Sequence, residues 1–262
     1  MKIIMITGAS SGIGREFALQ MDDSFTNIEE FWLVARRKEK LQELAGQLKH
    51  RVRIFDMDMT REDRLDWLEE NVRERHGKIC MLINCAGYGL MGRFAAQDRS
   101  EMLGMIRLNC EALTSLTHRL LPYMGENSRI IQMASSAAFL PQVDFAVYAA
   151  TKSYVLSFSR ALREELRNLK IYVTAVCPGP VDTPFFDIAE KTGSTLAIKK
   201  YTMVTAKKVV AKALFDSYHK KAMSVCSIPI RAFGVLAKAA PHGLLLQGTK
   251  ALKVVERIKE QK

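Results

Sequence analysis

The strongest constraint in this sequence is an alternation between two kinds of segment. Short apolar runs recur: KIIMIT near the start, FWLVA at 31–35, VRIFDMD at 52–58, ICMLIN at 79–84, RIIQMA at 129–134, IYVTAV at 171–176 and MSVCSI at 223–228. Each is continuous rather than alternating in polarity, the pattern of strands buried on both faces in a parallel sheet covered by helices. Between them lie stretches with apolar residues at helical spacing, such as REFALQM, REDRLDWLEENVRERHG, RSEMLGMIRLNCEALTSLTHRLLPYM and AVYAATKSYVLSFSRALREELRNL. The expectation is an α/β fold with a doubly wound, mostly parallel sheet of about seven strands and helices on both faces. Ligands of such sheets bind beyond the carboxyl ends of the strands, where the strand order reverses.

A chain of 262 residues with 48% hydrophobic content can bury one sizeable core, and one domain is expected. The five cysteines, Cys80, Cys85, Cys110, Cys177 and Cys226, show no CxxC pair and no nearby histidine cluster. That argues against a disulfide framework and a metal site. MKIIMITG runs directly into a strand, with too short an apolar stretch for a signal peptide, so a cytoplasmic protein is expected. No apolar run reaches the roughly eighteen residues of a spanning helix. The formal charge of +11 invites acidic partners, and nearly half of it lies in the tail, where residues 226–262 hold seven Lys or Arg against two Glu. No nucleic-acid motif accompanies it, and no nucleic-acid partner is expected.

Two loops point to a ligand. TGASSGIG, formed by Thr7, Gly8, Ala9, Ser10, Ser11, Gly12, Ile13 and Gly14, follows the first strand and opens the first helix. Glycines permit a tight turn and close backbone approach, while the free amides of the helix N-terminus face an anion such as a pyrophosphate. After the second strand, ARRKEK places Arg36 and Arg37 where an acid would hold ribose hydroxyls; guanidinium groups match a 2′-phosphate, which favours NADP(H) over NAD(H), with NAD(H) still possible. Arg15 is a further candidate helper.

Tyr148 and Lys152 stand four residues apart in DFAVYAATKSYV, on one face of a helix. A nearby cation favours the phenolate, so the ammonium is expected to lower the tyrosine pKa from about 10 and fit it for general acid or base work.

TGASSGIG, NCAG at 84–87, YAATK at 148–152 and PGPVDT at 178–183 occur in an order that resembles the short-chain dehydrogenase/reductase (SDR) family, over roughly residues 3–228. The resemblance implies a Rossmann-type catalytic domain at 1–228, with a lid at about 184–204, and an extension at 229–262. It implies Asn109, Ser135, Tyr148 and Lys152 as the catalytic set: Tyr148 as acid or base, Lys152 tuning it and holding ribose hydroxyls, Ser135 on the substrate oxygen, Asn109 supporting a water path to Lys152. Ser136 is the rival of Ser135, which stands thirteen residues before Tyr148. Asp58 and Met59 would border the adenine, Asn84, Ala86 and Gly87 would close the cofactor floor, and Pro178, Gly179, Val181 and Thr183 would meet the nicotinamide side. Two positions depart from the family pattern: Cys85 replaces a second Asn, and Ser11 stands where a basic residue often marks NADP-preferring members.

In PFFDIAEKTGSTLAIKKYTM, the lid, Phe185, Phe186, Ile188, Leu196 and Ile198 offer an apolar inner face opposite Tyr88, Leu90 and Met91. Such a pocket suits a lipophilic ketone or secondary alcohol, of hydroxysteroid or 3-oxoacyl type. The tail holds two amphipathic pieces interrupted by Pro241 and Gly243; in the second, Leu245, Leu252, Val255 and Ile258 are flanked by Lys250, Lys253, Arg257 and Lys259. It is expected to cover the cleft, join a partner subunit, or contact a membrane surface peripherally. A homodimer or homotetramer is usual in the family. The rival reading is a non-catalytic NADP(H)-binding redox sensor or scaffold.

Overall fold

The computed structural model describes residues 1–190 and 203–239, together with Pro241 and Gly243. Its strands are β1 (Lys2–Thr7), β2 (Glu30–Ala35), β3 (Arg51–Asp56), β4 (Lys78–Asn84), β5 (Arg129–Met133), β6 (Tyr172–Val176), β7 (Val181–Asp182), β8 (Val204–Thr205) and β9 (Met223–Ser224). The helices are α1 (Gly12–Ser24), α2 (Lys38–Ala45), α3 (Glu62–Glu74), α4 (Arg99–Ile106), α5 (Leu113–Leu120), α6 (Ala146–Glu165), α7 (Phe185–Ala189), α8 (Ala206–Tyr218) and α9 (Ile228–Ala239). Seven strands form one parallel sheet in the order β3-β2-β1-β4-β5-β6-β9. The chain starts in the middle, winds to one edge, then crosses back to β4 and winds to the other. The order therefore reverses between β1 and β4, and the crevice opens there.

Side chains alternate across each strand, so one strand feeds two cores. Ile4, Ile6, Phe31 and Leu33 pack with Phe17 and Met21 of α1 and Val209 and Val210 of α8. Ile3, Met5, Trp32 and Val34 pack on the opposite face with Leu65 and Leu68 of α3 and Leu116 of α5. Burying each of these large side chains contributes about 1.5–3 kcal/mol, which makes the unbroken apolar runs the main stabilising feature of the sheet. Helix α6 turns one stripe inward, with Tyr148, Ala149, Thr151, Lys152, Val155, Ser159 and Leu162 buried.

Three boundaries differ from the sequence reading. Only Met223 and Ser224 of the run 223–228 pair with β6; the backbone then leaves the sheet and enters α9 at Ile228, which keeps this edge strand short. Strand β3 ends at Asp56, because Asp58 folds back to accept bonds from the Thr60 backbone and hydroxyl. The long helical stretch after residue 98 is α4 and α5 joined by a π-helical turn, Arg107–Ala112, that carries Asn109. The lid segment is tied at its base by pairing of β7 with β8, Val181 to Val204 and Asp182 to Thr205.

Thr7 locks the crevice. Fully buried at the end of β1, its hydroxyl oxygen accepts from the Cys85 and Ala86 amides, both at 3.1 Å. Valine keeps the shape and leaves both donors without their acceptor. Thr7→Val is expected to lower the unfolding free energy by about 2 kcal/mol, read as a lower urea midpoint, while Thr7→Ser stays within about 1 kcal/mol of the parent. An unchanged midpoint for Thr7→Val would contradict this account.

Candidate active site

The crevice is a cavity of about 790 Å³ running from the glycine loop to the lid. At the first end, Gly8 has φ +65°, and a Cβ there would lie 2.8 Å from the Ala86 amide nitrogen; glycine alone lets the loop after β1 rest on the loop after β4. Ser11, the N-cap of α1, makes no side-chain bond to the first turn. Its hydroxyl instead accepts from Arg37 Nη2 at 2.7 Å, and Ser10 Oγ accepts from Arg37 Nε and Nη2 at 3.2 and 2.9 Å. The helix N-terminus and its positive dipole end thus face the cavity, a fit for a pyrophosphate. Arg36 and Arg37 are both exposed at the cavity edge. Burial pushes the Tyr88 phenol up, Glu101 adds to it, and Arg36 is near enough for its charge to pull the other way.

Of the residues expected to hold the cofactor, Ser10, Gly12, Ile13, Gly14, Asp58, Met59, Ala86, Gly87, Pro178, Gly179, Val181 and Thr183 line the cavity. Two expected cofactor residues lie beneath it instead. The Thr7 side chain is committed to the Cys85 and Ala86 amides. Asn84, the last residue of β4, points into the sheet's helix-covered face, where its Nδ2 donates to Thr117 Oγ1 and Gln132 Oε1, both at 3.0 Å. The floor is made by the turn after it: Cys85, Ala86 and Gly87.

At the other end Ser135, Tyr148 and Lys152 meet. Tyr148 lies beside Ser135, close enough for the serine hydroxyl to favour the phenolate, and Ser135 Oγ accepts from the Ala137 amide at 3.1 Å. Ser136 is oriented by its own amide, which donates to the Pro178 carbonyl at 2.8 Å and so ties β5 to the PGPVDT loop. Lys152 differs from expectation. Its ammonium donates to the Met133 carbonyl at 2.8 Å and sits 5.6 Å from the centre of the Tyr148 ring. Burial pushes Tyr148 up to about 12, and the Ser135 hydroxyl is what pulls it back; burial also pushes Lys152 down to about 8. The site as it stands keeps the phenol protonated rather than lowering its pKa. Asn109 is fully buried, with Oδ1 accepting from the Tyr88 amide and Nδ2 donating to the Tyr88 carbonyl and Thr151 Oγ1. It fixes the backbone beside Gly87, whose Cβ position lies 2.8 Å from Asn109 Oδ1 and 3.5 Å from Lys152 Nζ.

Phe185, Phe186 and Ile188 line the cavity with Tyr88 and Met91, whereas Leu90 packs in the same apolar cluster without lining it. Leu196 and Ile198 lie outside the described residues, as do Leu245, Leu252, Val255, Ile258 and the tail cations Lys250, Lys253, Arg257 and Lys259. The first piece of the extension, α9, forms a wall of the cavity, one of the three roles expected for the tail. Pro229, Ile230 and Phe233 line the cavity, Ile230 packs on Gly179, and Phe233 meets Phe139 with ring centres 6.5 Å apart. The apolar face of IPIRAFGVLA was the available signal.

A statistical model of the short chain dehydrogenase family matches residues 2–193. An uncharacterized oxidoreductase of Staphylococcus epidermidis is 32% identical over 185 residues, 70% of this chain and 79% of that one. Sulfoacetaldehyde reductase 2 of Chromohalobacter salexigens is 33% identical over 189 residues, covering 70% and 74%. Among solved structures, a short-chain dehydrogenase from Sphingobium yanoikuyae in complex with NADPH superposes with a TM-score of 0.79 at 29% identity, over 94% of this chain and 95% of that one. With the parallel sheet, the glycine loop over the crevice, and Ser135, Tyr148 and Lys152 at its far end, these matches show that the chain belongs to the short-chain dehydrogenase/reductase family of oxidoreductases.

Proposed function

We propose that the protein is an NADP(H)-dependent oxidoreductase interconverting a lipophilic ketone and its secondary alcohol. The observation that carries this reading is the meeting of Ser135, Tyr148 and Lys152 at the apolar end of a cavity whose other end is a glycine loop and two arginines. The bound nicotinamide supplies the hydride. In reduction, Tyr148 gives its proton to the carbonyl oxygen: the C=O π bond breaks, an O–H bond forms, and the phenolate is left for reprotonation from solvent. Ser135 holds that oxygen by a hydrogen bond where negative charge develops. A phenol held protonated by burial is ready to act as this acid. The Lys152 ammonium, partly satisfied by one carbonyl, retains donors for the ribose hydroxyls. Asn109 keeps the Gly87–Tyr88 backbone in place beside them.

The NADP(H) preference rests on Arg36 and Arg37 beside the glycine loop, and the structural relative bound to NADPH supports it. The substrate class rests on the far walls. Met91, Leu140, Val143, Phe186 and Phe233 are apolar, and beyond Lys152 the charged side chain among the described residues at that end is an acid, Asp144. Apart from Lys152, which is committed to the Met133 carbonyl, the described residues at that end offer no cation to a small anion of the kind named for the sulfoacetaldehyde reductase relative; an uncharged lipophilic body suits these walls.

Two measurements test this reading. With NADPH and a panel of ketosteroids, 3-oxoacyl thioesters and simple ketones, Tyr148→Phe is expected to lose about a thousandfold in turnover while fluorescence titration shows NADPH still bound. Tight NADPH binding without turnover by the parent on any ketone would favour a sensor or scaffold. Replacing both Arg36 and Arg37 by alanine is expected to reduce the NADPH-over-NADH preference in kcat/KM by about tenfold or more, since each guanidinium loses a charge-assisted bond to the 2′-phosphate. An unchanged ratio would refute the assignment of those two residues.

A further inference from the structure

The Tyr148 ring is held by more than its hydroxyl. Phe145, which precedes α6 as its N-cap residue, stacks on it with ring centres 4.2 Å apart and planes inclined by only 19°. Phe185 of α7 approaches the same ring at 5.5 Å and 51°. Gly89, in the loop after β4, sits at the seam of the stack. A Cβ built there would lie 2.5 Å from Tyr148 Cδ2, 2.9 Å from its Cγ and 2.9 Å from Phe145 Cζ, closer than carbon atoms approach one another. The constraint at Gly89 is space. Both rings are buried, and Phe145 and Tyr148 share one apolar cluster with Met91 and Met105.

Resting on the function proposed above, we propose that Gly89 and Phe145 are positioning residues for proton transfer: together they form a seat that fixes the Tyr148 ring and so aims its hydroxyl beside Ser135. The geometry explains why a seat is needed. A tyrosine swings about the bonds near its Cβ, and the phenol oxygen is the atom farthest from that pivot. A contact at Cγ and Cδ2, close to the pivot, is magnified at the oxygen. A methyl group at position 89 therefore displaces the hydroxyl more than it displaces the ring base, and it does so toward or away from Ser135. Phe145 covers one ring face and keeps water off it. Neither residue carries a group that reacts. Their effect passes through Tyr148.

The test combines kinetics with a spectroscopic signature, using Phe145→Leu, Phe145→Tyr and Gly89→Ala in the full-length enzyme. Phe145→Leu and Gly89→Ala are expected to lower kcat by about tenfold or more with the NADPH KM within about twofold, the pattern of a misplaced acid. Phe145→Tyr, which keeps the ring, is expected to restore kcat. In the Tyr148→Phe background the same Phe145→Leu change is expected to leave the residual rate unaltered. With ring-labelled tyrosine, the Tyr148 NMR signal is identified by its absence in Tyr148→Phe. It is expected to show two distinct ring edges in the parent and one averaged signal in Phe145→Leu. The proposal is overturned by parental kcat in both Gly89→Ala and Phe145→Leu, by an effect of Phe145→Leu that persists undiminished without Tyr148, or by an unchanged ring signal. The NMR signal needs no turnover. If the parent reduces no ketone, the proposed function fails while the ring signal still decides whether the seat exists.

Discussion

A buried ammonium sets the terms of this site. Lys152 lies on the inward stripe of α6, where its hydrogen bond to the Met133 carbonyl at 2.8 Å replaces part of its lost hydration. That bond joins the helix to the carboxyl end of β5, the point from which Ser135 also emerges. Because the helix repeats every 3.6 residues, placing Lys152 there places Tyr148 one turn earlier on the same face. The distance between phenol, hydroxyl and ammonium is therefore a property of how α6 lies on the sheet. Burial raises the tyrosine and lowers the lysine together, so the two groups stay in their neutral-acid and cationic forms near neutrality without direct pairing.

The rest of the architecture delivers other groups to the same place. A parallel sheet buried on both faces has its polar backbone ends at one edge, and the reversal of order between β1 and β4 leaves a gap there. Thr7 closes the bottom of that gap by binding two amides of the next loop. Arg37 closes its outer rim by holding Ser10 and Ser11. The lid is anchored at its base by β7 and β8, and α9 comes back over the PGPVDT loop through Ile230 and Gly179. The extension thus begins as a wall of the cavity rather than as an appendage.

Much of this was legible in the residues. Unbroken apolar runs predict two-faced burial, and every one of the seven runs holds a strand of the sheet, cut to two residues only at Met223–Ser224. The glycine loop declared itself by sitting between a strand and a helix, and the Tyr148–Lys152 spacing by matching a helical turn. Ser135 was separable from Ser136 by its interval to Tyr148, and in the structure it is Ser135 that lies close enough to act on the phenol. What was not legible depends on direction rather than identity. Thr7 and Asn84 were placed at the cofactor from their motifs, but strand alternation turns their side chains inward, so they support the floor without forming it. That Lys152 would be tied to the Met133 carbonyl while standing 5.6 Å from the Tyr148 ring centre could not be read from their spacing. Phe145 and Gly89 come from segments far apart in sequence and become neighbours only when the fold closes, so no local pattern announces them.

The account stands or falls on whether hydrogen moves from cofactor to carbonyl carbon in this cavity. The most direct measurement is to supply NADPH deuterated at the transferring carbon with a lipophilic ketone and analyse the product by mass spectrometry. The account predicts an alcohol carrying one deuterium on the carbinol carbon, in a single configuration because one face of the ketone meets the nicotinamide. Undeuterated alcohol, or deuterium in both configurations equally, would contradict the proposed transfer within the site.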